Sequence, residues 1–395
     1  MNAQTPLVIH LILDGFASEY LAYAPFLSEK IGAGKGRPIR TVSPFGSRGM
    51  IFTGFSPGKS QLFTDLWRDP AASRYRTLPG WQRKPHPLPA AIRFIVRLAT
   101  RVMSDYPCPL PPGIPASFLP RFDKPPLSRH ISTFRGNGPV PSLIERLQKQ
   151  HVPYQFFGPP TKGFWQKPFT QIIKKIKPES RYLCVHVITP DLTGHQYGPD
   201  SPEIRDLTAR IDREIEQLCA GLNNLGREAV LLIHSDHGMS RVRTEINFWQ
   251  EISKWPLTAG IDFDFFLDST MARFWLLKPA KENVLQDCIA SLAPAGHLLS
   301  EQDRQAAGLH GLDARYGDYL VTVEEGAVIM PNFFQTAPIR GMHGYIRSQS
   351  TGMVAWRNSF AEAIRRDISL LDITPTILKL LHLSPPKGIE GTAIF

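Results

Sequence analysis

Residues 7–16 read LVIHLILDGF, a nearly unbroken apolar run that stops at an aspartate and a glycine. A run this short and this apolar, bounded by turn-forming residues, is the pattern of a strand covered on both faces of a parallel sheet. The same texture returns at 154–157 (YQFF), 182–188 (YLCVHVI), 229–234 (AVLLIH) and 352–356 (GMVAW). Between the third and fourth runs, residues 201–225 carry the clearest helix pattern. It has Ser201 as a cap and Pro202 in the first turn, and Ile204, Leu207, Ile211, Ile215 and Leu218 at helical spacing before Gly226. A further helix pattern, DITPTILKLLHL (372–383), closes the chain. The alternation predicts an α/β protein with a mostly parallel central sheet flanked by helices.

The 395 residues are read as one decorated α/β domain, 1–395, interrupted by two inserted cap segments. Residues 63–135 are rich in proline and arginine, with 12 Lys or Arg against four Asp. Within them PAAIRFIVRLATRVMS (89–104) sets Arg93, Arg97 and Arg101 on one helical face. Such a basic amphipathic helix either packs its apolar side on the main domain or meets an anion or a membrane surface. The second insertion, 247–330, contains FDFFLDSTMARFWLL (263–277), which predicts a hairpin walling the site.

Composition narrows the class. A chain with 42% hydrophobic and 20% charged residues is a soluble globular one, and no apolar run approaches the ~20 residues of a membrane span. The net charge of +10 implies a field that attracts anions without choosing among nucleic acid, lipid and phosphorylated small molecules. No basic region precedes the first apolar run, which therefore reads as a strand rather than a signal peptide. Cys108, Cys184, Cys219 and Cys288 are widely spaced, which disfavours a disulfide framework or a cysteine metal site and predicts a cytoplasmic location.

Four segments place metal-ligand residue types where a strand pattern stops: Asp14; Asp191 and His195 in VITPDLTGHQYGP (187–199); Asp236 and His237 in VLLIHSDHGM (230–239); and His343 in IRGMHGY (339–345). Ligands of open α/β sheets bind outside the carboxyl ends of strands, so these points are expected to converge. Gly194 is expected to make a tight turn that aims Asp191 and His195 at one ion. Gly341 and Gly344 would allow the backbone a close approach beside His343. Singly, each aspartate reads as a cap and each histidine as structural; together they read as a zinc or manganese site.

ILDG, PDLTGHQYGP, SDHGM and RGMHG, in this order, resemble the metal-binding motifs of the alkaline phosphatase superfamily, most of all its type I phosphodiesterase/nucleotide pyrophosphatase branch. The resemblance covers roughly 1–60, 139–240 and 335–395. It implies two divalent metal ions, zinc with manganese as the alternative. One would be held by Asp14, Asp236, His237 and the nucleophile, the other by Asp191, His195 and His343. It further implies a metal-dependent phosphodiesterase that acts on an anionic phosphoester by a two-metal in-line displacement through a covalent serine intermediate. Nucleic acid is not expected as a partner, while a lipid-linked substrate at a membrane surface stays open.

The chain departs from that pattern at the nucleophile. In TVSPFGSRGMIFTGFSPG (41–58), FTG resembles the TG that closes the family's nucleophile helix, but the ninth residue before Thr53 is Pro44, where the family carries Thr, Ser or Cys. Ser47 is preferred, because Gly46 before it can make the sharp turn of a presented hydroxyl. Ser43, which with Pro44 reads as a helix cap, is the alternative, and a metal-bound water is the third candidate. Arg48 is a candidate clamp on a phosphoryl oxygen. Sulfatase or phosphomonoesterase chemistry on the same scaffold, and a metal-retaining module that binds anionic glycan with little turnover, are the rival readings.

Overall fold

The first apolar run forms β1, Leu7–Leu13, with every residue buried. The computed structural model describes residues 6–43, 45–73, 113–115, 117–123, 140–158, 169–293, 295–335, 337–346, 354–357, 364 and 366–394. The arginine-bearing stretch 89–104, Cys108, Pro44 and residues 352–353 lie outside these.

After β1 come β2 (Gly36–Arg40), β3 (Tyr154–Phe157), β4 (Tyr182–Val187), β5 (Ala229–His234), β6 (Phe263–Leu267), β7 (Met271–Leu276), β8 (His297–Leu298), β9 (Tyr319–Thr322), β10 (Val354–Arg357) and β11 (Ile368–Ser369). They build a seven-stranded sheet ordered β11–β2–β10–β5–β1–β4–β3 and a four-stranded sheet ordered β6–β7–β9–β8. In the larger sheet β3, β4, β1 and β5 are parallel. The antiparallel β10 lies between β5 and β2, which returns β2 to the direction of the parallel set. The carboxyl ends of β1, β2, β4 and β5 therefore share one edge. The sequence pattern did not mark β2, because GRPIR buries only Gly36 and Ile39 and contains a proline.

Alternation along the strands supplies a core on each face of this sheet. Val8, Ile12, Tyr182, Cys184, Val230 and Leu232 pack with Met50, Phe52, Ile373 and Ile377 on one side. On the other side Leu7, Ile9, Leu11, Leu13, Leu183, Val185, Leu231 and Ile233 pack with Ile204, Ile211, Ile215 and Leu218.

The helices that position the site are α1 (Pro25–Gly32), α2 (Ser47–Thr53), α3 (Leu143–Lys149), α4 (Thr189–Tyr197), α5 (Pro202–Asn223) and α6 (Ile373–Leu380). As its sequence predicts, α5 has the Ser201 hydroxyl accepting from the Ile204 N–H at 3.3 Å, Pro202 in its first turn and the expected apolar stripe buried. α4 is a correction. Residues 189–197 are a helix with Pro190 in the first turn rather than a loop turning at Gly194. Asp191 and His195 meet because residues four apart share a helix face.

The stretch 263–277 forms the expected antiparallel hairpin of β6 and β7. Its aromatic residues, on both faces of β6, pack against residues of 63–135, with Phe118–Phe265 and Phe122–Phe266 ring centroids 5.0 and 5.1 Å apart. The described parts of 63–135 and 247–330 thus share one core. Among the described residues no helix is long and apolar enough to cross a membrane.

One polar contact ties α1 to α5. The buried Asp212 carboxylate accepts the N–H groups of Phe26 and Leu27, both at 2.9 Å, two donors that α1 cannot satisfy internally. Asp212→Ala is expected to lower stability by about 2 kcal/mol, since it strands buried donors. Urea unfolding checks this through a lower midpoint at unchanged m value.

Candidate metal centre

Each donor segment reaches the site from that shared edge or from the strand beside it. Asp14 follows β1, α4 carries Asp191 and His195 just beyond β4, and Asp236 and His237 follow β5. His343 follows Gly341–Met342, which pairs antiparallel with Ser240–Arg241. Glycine is required at 341, because a Cβ there would lie 2.3 Å from the carbonyl oxygen of Gly194 in α4. Ser47 opens α2 directly after Gly46, whose φ of 78° makes the sharp turn that the sequence suggested.

The six side chains separate into two groups: Asp14, Asp236 and His237, and Asp191, His195 and His343. Within each group one ligand atom per residue lies within 4.8 Å of the others. In the first, His237 Nε2 is 3.4 Å from both Asp14 Oδ1 and Asp236 Oδ2. In the second, Asp191 Oδ1 is 3.2 Å from His195 Nε2 and 3.5 Å from His343 Nε2. The groups adjoin, since the His237 and His343 rings stack with centroids 3.5 Å apart.

Atoms that do not face the groups are held by the protein. His195 Nδ1 lies 2.8 Å from the Gly341 carbonyl and His237 Nδ1 3.0 Å from that of Gly238. With Nδ1–H donating there, the Nε2 lone pairs turn inward. Asp236 Oδ1 accepts from the Gly15 N–H at 3.1 Å, and Asp14 Oδ2 lies 2.7 Å from His186 Nε2. The inward Asp191 Oδ1 is buried with no hydrogen-bond donor. A buried carboxylate oxygen without a donor is costly unless a cation satisfies it. Convergent imidazole nitrogen and carboxylate oxygen fit zinc or manganese.

Proton affinities reflect this crowding. Burial pushes the Asp14 carboxyl up, but the hydrogen bond and charge of His186, with His237 and Arg48, hold it well below the usual carboxylate range. Burial and then the neighbouring Asp14 push Asp236 up to about 6. His195 and His237 are raised: burial opposes their charge, but Asp191 acts on the first, and Asp236 with Asp14 on the second, more strongly. Burial, then His237 and His195, keep His343 well below the ordinary imidazole value.

Ser47 Oγ is 3.4 Å from Asp236 Oδ2. With Arg48 and the six ligand residues it lines a cleft of about 310 Å³, whose other lining includes Phe45, Phe63, Thr64, Asp65, Asp268, Ser269, Phe334 and Gln335. Ser43 is buried, its hydroxyl has no hydrogen-bond partner, and it does not line the cleft. The helix starts at Ser47, so the reading of Ser43–Pro44 as its cap does not hold.

Sequence reasoning passed over His10, His186 and His234, all buried on the α2 face of the sheet. Their signal was a single histidine in each of three strands that otherwise read as apolar.

A family model described as type I phosphodiesterase / nucleotide pyrophosphatase matches residues 8–346. Human ectonucleotide pyrophosphatase/phosphodiesterase family member 7 is 30% identical over 143 residues, 35% of this chain and 31% of that protein. The matched stretch is thus under a third of that relative's length. Alkaline phosphatase PhoV of Synechococcus elongatus is 24% identical over 250 residues, 54% of this chain and 44% of its own. The solved structure of human ectonucleotide pyrophosphatase/phosphodiesterase 5 superposes with a TM-score of 0.67 at 16% identity, covering 98% of this chain and 97% of that one. The murine counterpart, an inactive form in complex with AMP, gives 0.65 at 15% identity over 96% of each chain.

Three of the six candidate ligand residues are shifted towards their protonated forms: Asp236, titrating at about 6, and the raised His195 and His237. A divalent cation must displace the protons of these groups, so its affinity should climb as pH rises through the titration of Asp236 at about 6 and of the two raised imidazoles. Asp14, ionised throughout, and His343, already neutral, add nothing to this slope. Titration calorimetry in buffers of different ionisation enthalpy checks it, with proton release on zinc binding at pH 6.5 expected; pH-independent affinity would refute it.

Proposed function

This chain belongs to the type I phosphodiesterase / nucleotide pyrophosphatase family, and we propose that it hydrolyses phosphodiesters with two divalent cations, zinc or manganese, and Ser47 as the nucleophile. One observation carries the reading: two ligand trios adjoin on the floor of a cleft, and a hydroxyl at the start of a helix lies 3.4 Å from Asp236 Oδ2 of one trio. Asp14, Asp236 and His237 would hold one cation, and Asp191, His195 and His343 the other. Bound there, the pair supplies positive charge that stabilises the attacking and departing oxygens of an in-line displacement.

The chain's own residues do the rest. Gly46 and α2 fix the direction of Ser47, and Arg48 beside it offers a guanidinium to a phosphoryl oxygen. Phe45, Phe63 and Phe334 offer the apolar surface for the rest of the substrate. In the first step a Ser47 Oγ–phosphorus bond forms as the bond to the departing alcohol breaks. In the second a water oxygen bonds to phosphorus, Ser47 leaves and its hydroxyl is regenerated. Nucleotide diesters are the first class to test, a choice supported by the AMP held in the murine structure. The net charge of +10 draws anionic substrates of any of these kinds.

With zinc or manganese bound, the chain should cleave bis-p-nitrophenyl phosphate faster than p-nitrophenyl phosphate, and p-nitrophenyl sulfate least. Preference for the monoester or the sulfate would overturn the diesterase reading, and bound metal without turnover would leave a binding module. Ser47→Ala should lower kcat by about a thousandfold or more while metal content is retained. Ser43→Ala should stay within about threefold of the wild type, in keeping with a site outside the cleft. Full activity in Ser47→Ala would exclude attack by Ser47.

A further inference from the structure

The proposed chemistry leaves one buried imidazole beside the site without a role. On β4, Tyr182, Cys184 and His186 face the same side as Val8, His10 and Ile12 of β1 and as Val230, Leu232 and His234 of β5. The register pairs Ile12 with His186 on one side and with His234 on the other, two residues before Asp14. An imidazole only 4% exposed is costly in an apolar layer unless it is hydrogen-bonded.

His186 finds its partner at the site, with Nε2 2.7 Å from Asp14 Oδ2. The main chain of Asp14 is fixed by its N–H bond to the Val187 carbonyl at 2.9 Å, yet that bond leaves the side-chain torsions open. The plane of the carboxylate is set by what holds its oxygens: Oδ2 faces His186, and Oδ1 faces His237 Nε2 at 3.4 Å. A second buried pair braces the opposite strand. His10 Nε2 lies 2.6 Å from His234 Nε2, and His234 Nδ1 2.8 Å from the carbonyl of Ser235, the residue before Asp236.

We propose that His186 is a positioning residue for the cation held by Asp14, Asp236 and His237: its Nε2–H commits Oδ2 of Asp14 and leaves Oδ1 as the one oxygen offered to that cation. This role rests on the reading that the trio binds a divalent cation. It is confined to one of the two groups, because the His186 ring bonds to Asp14, a member of the first trio. Ligands with a fixed outer partner bind more tightly because the orientation is already set; losing such a partner typically weakens metal affinity about ten- to a hundredfold.

The test is competition of a chromogenic chelator for zinc in the full-length wild type, His186→Leu and His186→Gln, with melting of each metal-free chain alongside. The wild type should release two ions per chain. His186→Leu should lose about ten- to a hundredfold in affinity for one ion and keep the other at its wild-type value. His186→Gln, whose amide N–H can reach a similar position, should recover most of the loss. If the leucine variant does not fold, His186→Asn, too short to reach Oδ2, takes its place against glutamine. Both ions kept at wild-type affinity in His186→Leu would overturn the role, and so would equal weakening of both ions with a lowered melting temperature in both variants, which marks a purely structural residue. A wild type that binds no zinc overturns it together with the proposed function, whereas unchanged variants of a zinc-binding wild type overturn it alone.

Discussion

The parallel pairing of β1 with β4 on one side and with β5 on the other fixes where the site can be. Ile12 is level with His186 and with His234, so Asp14 emerges beside the ends of both neighbours. The chain has only to continue from each strand end to deliver Asp191 and His195 on α4, and Asp236 and His237 after Ser235. Because the antiparallel β10 restores β2 to the common direction, the segment leading to Ser47 leaves from the same edge. Two apolar layers hold this register, and the side chains of the site contribute little to it.

Part of the site opposes folding. Three carboxylates and three imidazoles meet in two adjoining spaces, with Asp14 and Asp236 buried side by side. In a low-dielectric interior such groups repel one another or stay protonated, as the Asp236 carboxyl does up to about pH 6. The surrounding scaffold assigns each side chain one atom for the protein and one for the shared space: the Gly341 and Gly238 carbonyls on two imidazoles, the Gly15 N–H and His186 on two carboxylates. That division is the preorganisation the proposed pair of cations would require.

The sheet and the gathering of the six candidate ligand residues were legible because both leave strong local marks. Apolar runs that end in Asp or His are short, distinct strings, and their being parallel and buried brings those ends to one edge. Other features left weaker marks. Gly194 reads as a turn, yet it lies inside a helix where a Cβ would come within 2.9 Å of the Met239 side chain. β2 carries too few apolar residues to stand out. Where α2 begins was also hidden: it opens at Ser47 after the positive-φ Gly46, which no local pattern marked. His186 was hidden because a single histidine in an apolar strand looks structural until its partner, 172 residues away, is known. The basic helix read at 89–104 lies outside the described residues.

Anomalous diffraction at the zinc edge, from crystals grown with zinc, is the most direct measurement of the central claim. The account predicts two peaks per chain, one among Asp14 Oδ1, Asp236 Oδ2 and His237 Nε2 and one among Asp191, His195 and His343, with ligand distances of about 2.0–2.2 Å. A single peak elsewhere on the surface, or no peak with these six side chains hydrogen-bonded to one another, would contradict it.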